Sequence, residues 1–185
     1  MKSGVRIAAI TTGPIGKLGK RKGGWKALLV CVVGNLNGVE GILSTKIAID
    51  GNDATEKIIR LIRRTHFREQ IRVLAFNGIA LAGLNIVNVD ALEKSLGVSC
   101  LILTRQKPHL NLLKRSVRLL KIDKKEKKER MALLSSQKRA RKMNGFYVQT
   151  SLDETRKLSK ICADLLRLSH LISRGIATGE SKGRI

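Results

Sequence analysis

The sequence predicts an α/β fold: a mixed sheet made of an antiparallel three-strand meander followed by parallel strands, with flanking helices. Three observations carry this. Short β-branched and apolar runs separated by turn residues fill the first fifty positions, the apolar spacing changes to the helical period from about Asp53, and strands and helices alternate from residue 41 onward. At 185 residues the chain is long enough for one domain with one core and too short for two, so a single domain over 1–185 is expected.

The first strand is "VRIAAIT" (5–11), ended by "TGPIG". A glycine-rich basic loop, "KLGKRKGG", leads to a second strand, "WKALLVCVVG". Asn37-Gly38 is then a strong short-hairpin signal, so "GILSTKIAID" should pair antiparallel with the strand before it. Ala54, Ile58, Ile59 and Ile62 fall at helical spacing, with Arg60, Arg63 and Arg64 on the other side. "IRVLAFNG" is a fourth strand, "NVDALEKSLG" a short helix closed by Gly97, "VSCLILTR" a fifth strand, and "PHLNLLKRSVRLLK" a helix begun by Pro108. "GFYVQTS" reads as one more strand. The last helix, "SLDETRKLSKICADLLRLSHLISRGI", opens with a Ser151/Glu154 capping box and carries the stripe Leu158, Ile161, Cys162, Leu165, Ile172, Ile176.

Thirty-seven basic against 14 acidic side chains leave a net charge of +23, so the counterpart to expect is a polyanion: nucleic acid first, an anionic membrane surface second. No stretch approaches ~18 consecutive apolar residues, and the apolar run near the start is too short and too broken by Gly and Pro for a secretory signal. A soluble, cytoplasmic protein that does not bind membranes is expected. Cys31, Cys100 and Cys162 are odd in number and form no Cys-x-x-Cys pair, which argues for buried thiols rather than disulfides or a zinc knuckle.

The basic segments carry two readings each. Residues 16–24, with Lys20, Arg21 and Lys22, suit a flexible linker or a loop lying on phosphates. Residues 121–142 suit a solvated helix or a phosphate-contacting surface. No nucleophile elbow, Walker lysine motif or dinucleotide-binding glycine pattern occurs. Aromatic residues make up only 3% of the chain, which argues against an extensive platform for base stacking.

The order of strands and helices is that of ribonuclease H-like folds. "LSTKIAIDGNDATEKIIRLI", "LAFNGIALAGLNIVNVDAL", "LILTRQKP" and "LRLSHLISRGIATGESKGR" together resemble the archaeal family called domain of unknown function 99, distantly related to endonuclease V. The match covers nearly the whole chain; the basic loop 16–24 and the charged segment near 121–145 fall outside it. The resemblance implies a phosphodiesterase using magnesium or manganese, with one Asp at the end of the first strand, another at the end of the fourth, and a Glu after the third.

Magnesium favours charged oxygen ligands, and neutral hydroxyls and amides are weak replacements. Where the family's first strand ends in an acidic pair before Gly-Pro, this chain has Thr11 and Thr12. Where endonuclease V has Asp-Gly, it has Asn77-Gly78. Glu56 matches the glutamate after the third strand, with Asp50 and Asp53 in the family's Asp-Gly-x-Asp-Ala-Thr signature. By position alone, Asp53 and Glu56 equally form a helix-starting capping box, and Asp50-Gly51 a strand-ending turn. His170 falls where endonuclease V places a histidine near its site. Helical spacing puts it away from the Leu165/Ile172 stripe, with Arg167 and Arg174, as a site-facing or simply exposed imidazole. His66 and His109 sit at helix ends and suggest no role, and endonuclease V's Pro-Tyr-Ile-Pro wedge has no counterpart.

The leading expectation is thus a basic nucleic-acid-binding protein with a degenerate nuclease site. Lys20, Arg21, Lys22, Arg167 and Arg174 would contact phosphates, and Glu56 would be the remaining metal ligand. The alternatives are an active endonuclease using Glu56, Asp50, Asp53 and His170, and a non-catalytic ribonucleoprotein-associated protein.

Overall fold

A computed structural model of the chain describes residues 5–15, 20–21, 24–152 and 156–181. The chain opens with β1 (Arg6–Thr12), β2 (Lys20–Arg21), β3 (Gly24–Asn35), β4 (Gly38–Ala48) and α1 (Ala54–Arg64). There follow β5 (Ile71–Phe76), the small ribbon of β6 (Ala80–Leu81) and β7 (Asn85–Ile86), α2 (Val89–Leu96) and β8 (Ser99–Thr104). The last part holds α3 (Leu110–Leu119), α4 (Lys124–Ser135), β9 (Arg141–Met143), β10 (Phe146–Thr150) and α5 (Arg156–Thr178).

The main sheet runs β4-β3-β1-β5-β8-β10-β9, with the two-residue β2 paired to the start of β3. Pairing is antiparallel from β4 to β1, parallel from β1 through β5 to β8, and antiparallel again to β10 and β9. This is the expected ribonuclease H-like arrangement. It leaves the ends of β1 and β5 side by side at the middle of the sheet, since Ile10 pairs with Phe76.

Alternation along β1 divides the core between the two faces. Ala8 and Ile10 point to the face covered by Ile58 and Ile62 of α1, Leu92 of α2, Val117 of α3 and Leu134 of α4. Ile7 and Ala9 point to the other face, where α5 supplies Leu158, Cys162, Leu165 and Leu166. Among the described residues no helix is long and apolar enough to cross a membrane.

Three local expectations are corrected. The β3–β4 hairpin forms, but its turn is Leu36-Asn37; Gly38 opens β4, and Asn37 N–H donates to Asn35 Oδ1 at 2.7 Å. The α5 stripe does not continue to Ile176, which is 67% exposed, because the buried line passes through Ser169 and Ser173. The helix sits hard against the end of β1 there: a Cβ on Gly13 would lie 2.9 Å from Ser173 O, which leaves room for small side chains only. Finally, the charged segment contributes β9, folded back on β10 through Asn144-Gly145 with φ of 50° and 78°. The same Asn-Gly signal was present in the sequence. Of the Ser151/Glu154 capping box, Glu154 lies outside the described residues.

Cys31, Cys100 and Cys162 are free and buried. Burial pushes the thiols of Cys31 and Cys162 up to about 12, and that of Cys100 well above its ordinary value with further help from the Glu93 charge. The reactive thiolate is therefore scarce in the folded protein. Native protein at about pH 8 should take up little of a thiol-labelling reagent, and denatured protein should take up three equivalents. Rapid labelling of any thiol without unfolding would contradict this packing.

Candidate functional site

At the end of β1, Thr11 is only 5% exposed and on the α5 face of the sheet. Its hydroxyl lies 2.9 Å from Ser169 Oγ, and Ser169 donates to Val30 O at 2.9 Å. A hydroxyl has one proton, so Ser169 spends its own on the carbonyl and accepts that of Thr11. Thr12 turns to the opposite face and accepts the Ala82 N–H at 3.2 Å. One residue beyond the Ile10/Phe76 pair, the register sets exposed Asn77 beside Thr11. The two positions where the resemblance to endonuclease V leads one to expect acids thus fall at adjacent strand ends, and both side chains are uncharged.

The carboxylates of the signature stretch lie between the end of β4 and the start of α1, and the Asp50 turn adjoins Thr12: Asp50 N–H donates to Ala82 O at 2.9 Å while the Ala82 N–H is the one Thr12 accepts. Asp50 has φ 53°, and its Oδ1 accepts the Leu84 N–H at 2.8 Å, so the turn reaches 34 residues along the chain. A Cβ on Gly83, itself at φ 87°, would collide with that oxygen. Asp53 is the residue before α1, yet its side chain makes no cap hydrogen bond. The expected capping box is therefore not formed. Its oxygens instead accept the Ala48 N–H at 3.0 and 3.3 Å, and Oδ1 also accepts from Asn85 Nδ2 at 2.8 Å.

Asn85 is fully buried and completes this latch. Its Nδ2 donates to Ala48 O at 2.9 Å, and its Oδ1 accepts the Ala54 N–H at 3.1 Å, doing for α1 what Asp53 was expected to do. Thr55 Oγ1 accepts the Asn88 N–H at 2.9 Å. Asp50, Asp53 and Thr55 together clip the 79–88 segment to the β4–α1 corner. Asn85 was missed in the sequence because nothing local marks a partner 30 residues away.

Glu56 points outward from α1, its side chain 68% exposed, and pairs with Arg60 one helical turn on. α1 packs on the sheet face opposite α5, so Glu56 does not share a face with Thr11 and Asn77. His170 follows Ser169 on α5 and is half-buried; Arg167 and Arg174, three residues before and four after it, are exposed on the same side. The backbone of Lys20 and Arg21 pairs with Trp25 and Gly24, and Lys22 lies outside the described residues.

The resemblance implies magnesium or manganese. Among the described residues no three His, Cys, Asp or Glu side chains converge to hold a metal ion. Thr11 is hydrogen-bonded to Ser169, Asp50 and Asp53 accept backbone and amide N–H groups at the β4–α1 corner, and Glu56 pairs with Arg60 on the exposed side of α1, so their oxygens do not converge. These groups do not fit a magnesium centre, which needs charged oxygens aimed at one point.

The mixed sheet, antiparallel from β4 to β1 and parallel from β1 through β5 to β8, with helices on both faces, sets the α/β class. The chain belongs to the endonuclease dU family, whose profile matches residues 3–177. A UPF0215 protein of Archaeoglobus fulgidus is 32% identical over 166 residues, covering 83% of this chain and 90% of its own. The crystal structure of a protein of unknown function from the same organism superposes with a TM-score of 0.79 at 26% identity, over 93% of this chain and 98% of that one. Human endonuclease V aligns with a TM-score of 0.45 at 12% identity, over 91% and 87% of the two chains.

Proposed function

We propose that this protein binds nucleic acid and that hydrolysis in its endonuclease site is lost or severely weakened. The observation that carries the reading is the neutral pair Thr11 and Asn77 at adjacent strand ends, with the hydroxyl of Thr11 sealed against Ser169. Support for binding comes from the charge of +23 and from Arg167 and Arg174, exposed on α5 and in no ion pair among the described residues. Contacts of that kind grip phosphates and carry little sequence information.

The family's name supports a competing reading, a working endonuclease acting at deoxyuridine. One assay separates the two. Purified protein is incubated with labelled deoxyuridine-containing, inosine-containing and ordinary strands in Mg²⁺ or Mn²⁺. Shifted but intact strands are expected. Multiple-turnover scission abolished by Glu56→Ala, with a surface Lys→Ala variant still active, would replace this reading with the catalytic one.

A further inference from the structure

A groove of about 630 Å³ opens between the β3–β4 turn, the start of β10 and the first turns of α5, within the roughly 300–1,000 Å³ range of ligand pockets. It is made of different elements from the Thr11/Asn77 pair. Leu36, Phe146 and Ile161 supply its apolar lining; Leu36 is 58% exposed, while Phe146 and Ile161 are half-buried, each resting partly on the α5-side core. Arg156, Lys157 and Lys160 stand on the rim with a single acid, Asp164. The ion pairs among the described residues engage none of these three cations. One wall is held in place: Asn144 Nδ2, from the β9–β10 turn, donates to Arg156 O at 2.8 Å and to Ser159 Oγ at 3.2 Å. Such bracing lowers the ordering cost of binding.

An apolar lining with a cationic rim selects its occupant. A duplex offers phosphates but keeps its base faces stacked inside. A second copy of this chain would bring the same three cations and a further +23 of charge. A single strand has both phosphates and free base faces, and one ring such as Phe146 suffices for one stacked base without the extended platform that the scarcity of aromatics argues against. Resting on the nucleic-acid-binding reading above, we infer that this groove takes unpaired bases of a single strand, whose phosphates lie along Arg156, Lys157 and Lys160.

The test uses the full chain and a fluorescent single strand of about 12 nucleotides, as DNA and as RNA, beside the matching DNA duplex. Phe146→Leu keeps an apolar side chain and removes the stacking face. It should weaken single-strand binding roughly 5- to 100-fold and leave duplex binding within about twofold. The double variant Lys157→Ala/Lys160→Ala, on the exposed rim, should lower the single-strand log–log salt slope by about 1.4. Wild-type single-strand affinity in both variants, or an equal loss for the duplex, would overturn the inference and leave general binding standing. A dimer that single strands dissociate would assign the groove to a second copy and also overturn it. Failure of the wild type to bind any of the three probes at low salt would remove the binding reading itself.

Discussion

Duplex binding is expected to weaken about 10³-fold as salt rises from about 50 to 200 mM. Each phosphate neutralised by Lys or Arg releases condensed counterions, which gives a slope of roughly −0.9 per contact on B-form DNA, and about six contacts produce that loss. Candidates for those contacts are Arg167 and Arg174 beside His170 on α5, Lys20 and Arg21 of β2, and by sequence Lys22. Replacing both Arg167 and Arg174 by Ala should lower the slope by about 1.8, by similar amounts for unrelated sequences. The measurement is a fluorescence-anisotropy titration at several salt concentrations. A flat response, or a slope indifferent to both arginines, would remove α5 from the interface.

Glu126→Ala is expected to destabilise the fold by about 3–5 kcal/mol, a Tm lower by roughly 6–20 °C. Its partner Arg130 is 0% exposed in the middle of a lysine-rich helix. The guanidinium donates to Leu84 O at 2.9 Å and Asp50 O at 2.8 Å and pairs with Glu126, while its Nε has no partner. Removing the carboxylate leaves a buried cation whose charge only carbonyl dipoles offset. Arg130→Ala should cost a similar amount, because two carbonyls lose their donor and a cavity opens beside the Asp50 turn. The double variant Glu126→Leu/Arg130→Met removes both charges at similar volume and should be less damaging than either single change. Thermal melts of the three proteins decide it. Additive losses, or a Glu126→Ala protein melting like wild type, would mean that the pair does not anchor α4.

That arginine also marks a limit of sequence reading. Residues 121–142 suggest a solvated helix or a phosphate-contacting surface, and α4 additionally buries Arg130 against the corner that the Asp50 turn builds and Leu134 in the core. Asp53 likewise carries the spacing of a helix cap and serves instead as an acceptor for Ala48 and Asn85. The helix over 124–135 is mostly solvated as expected, but its buried arginine and the role of Asp53 were hidden for one reason. Local spacing reports which neighbours share a helical turn, but the partners of Asp50, Asp53 and Arg130 include residues more than 30 positions away, brought there by chain packing.

The sequence by itself determined the order of the main strands and helices and the strongly basic character, and it places the uncharged Thr11 and Asn77 at the ends of β1 and β5. These follow from residue identity and from periods of two and 3.6, which any segment carries with it. Only the tertiary structure decided that Thr11 and Asn77 stand side by side, that Asp50 and Asp53 are bound into a latch, and that α5 narrows to Ser169 and Ser173 at the end of β1. Each depends on register and close approach between distant segments, where a hydrogen bond formed or a methyl group excluded is settled by the partner across the gap.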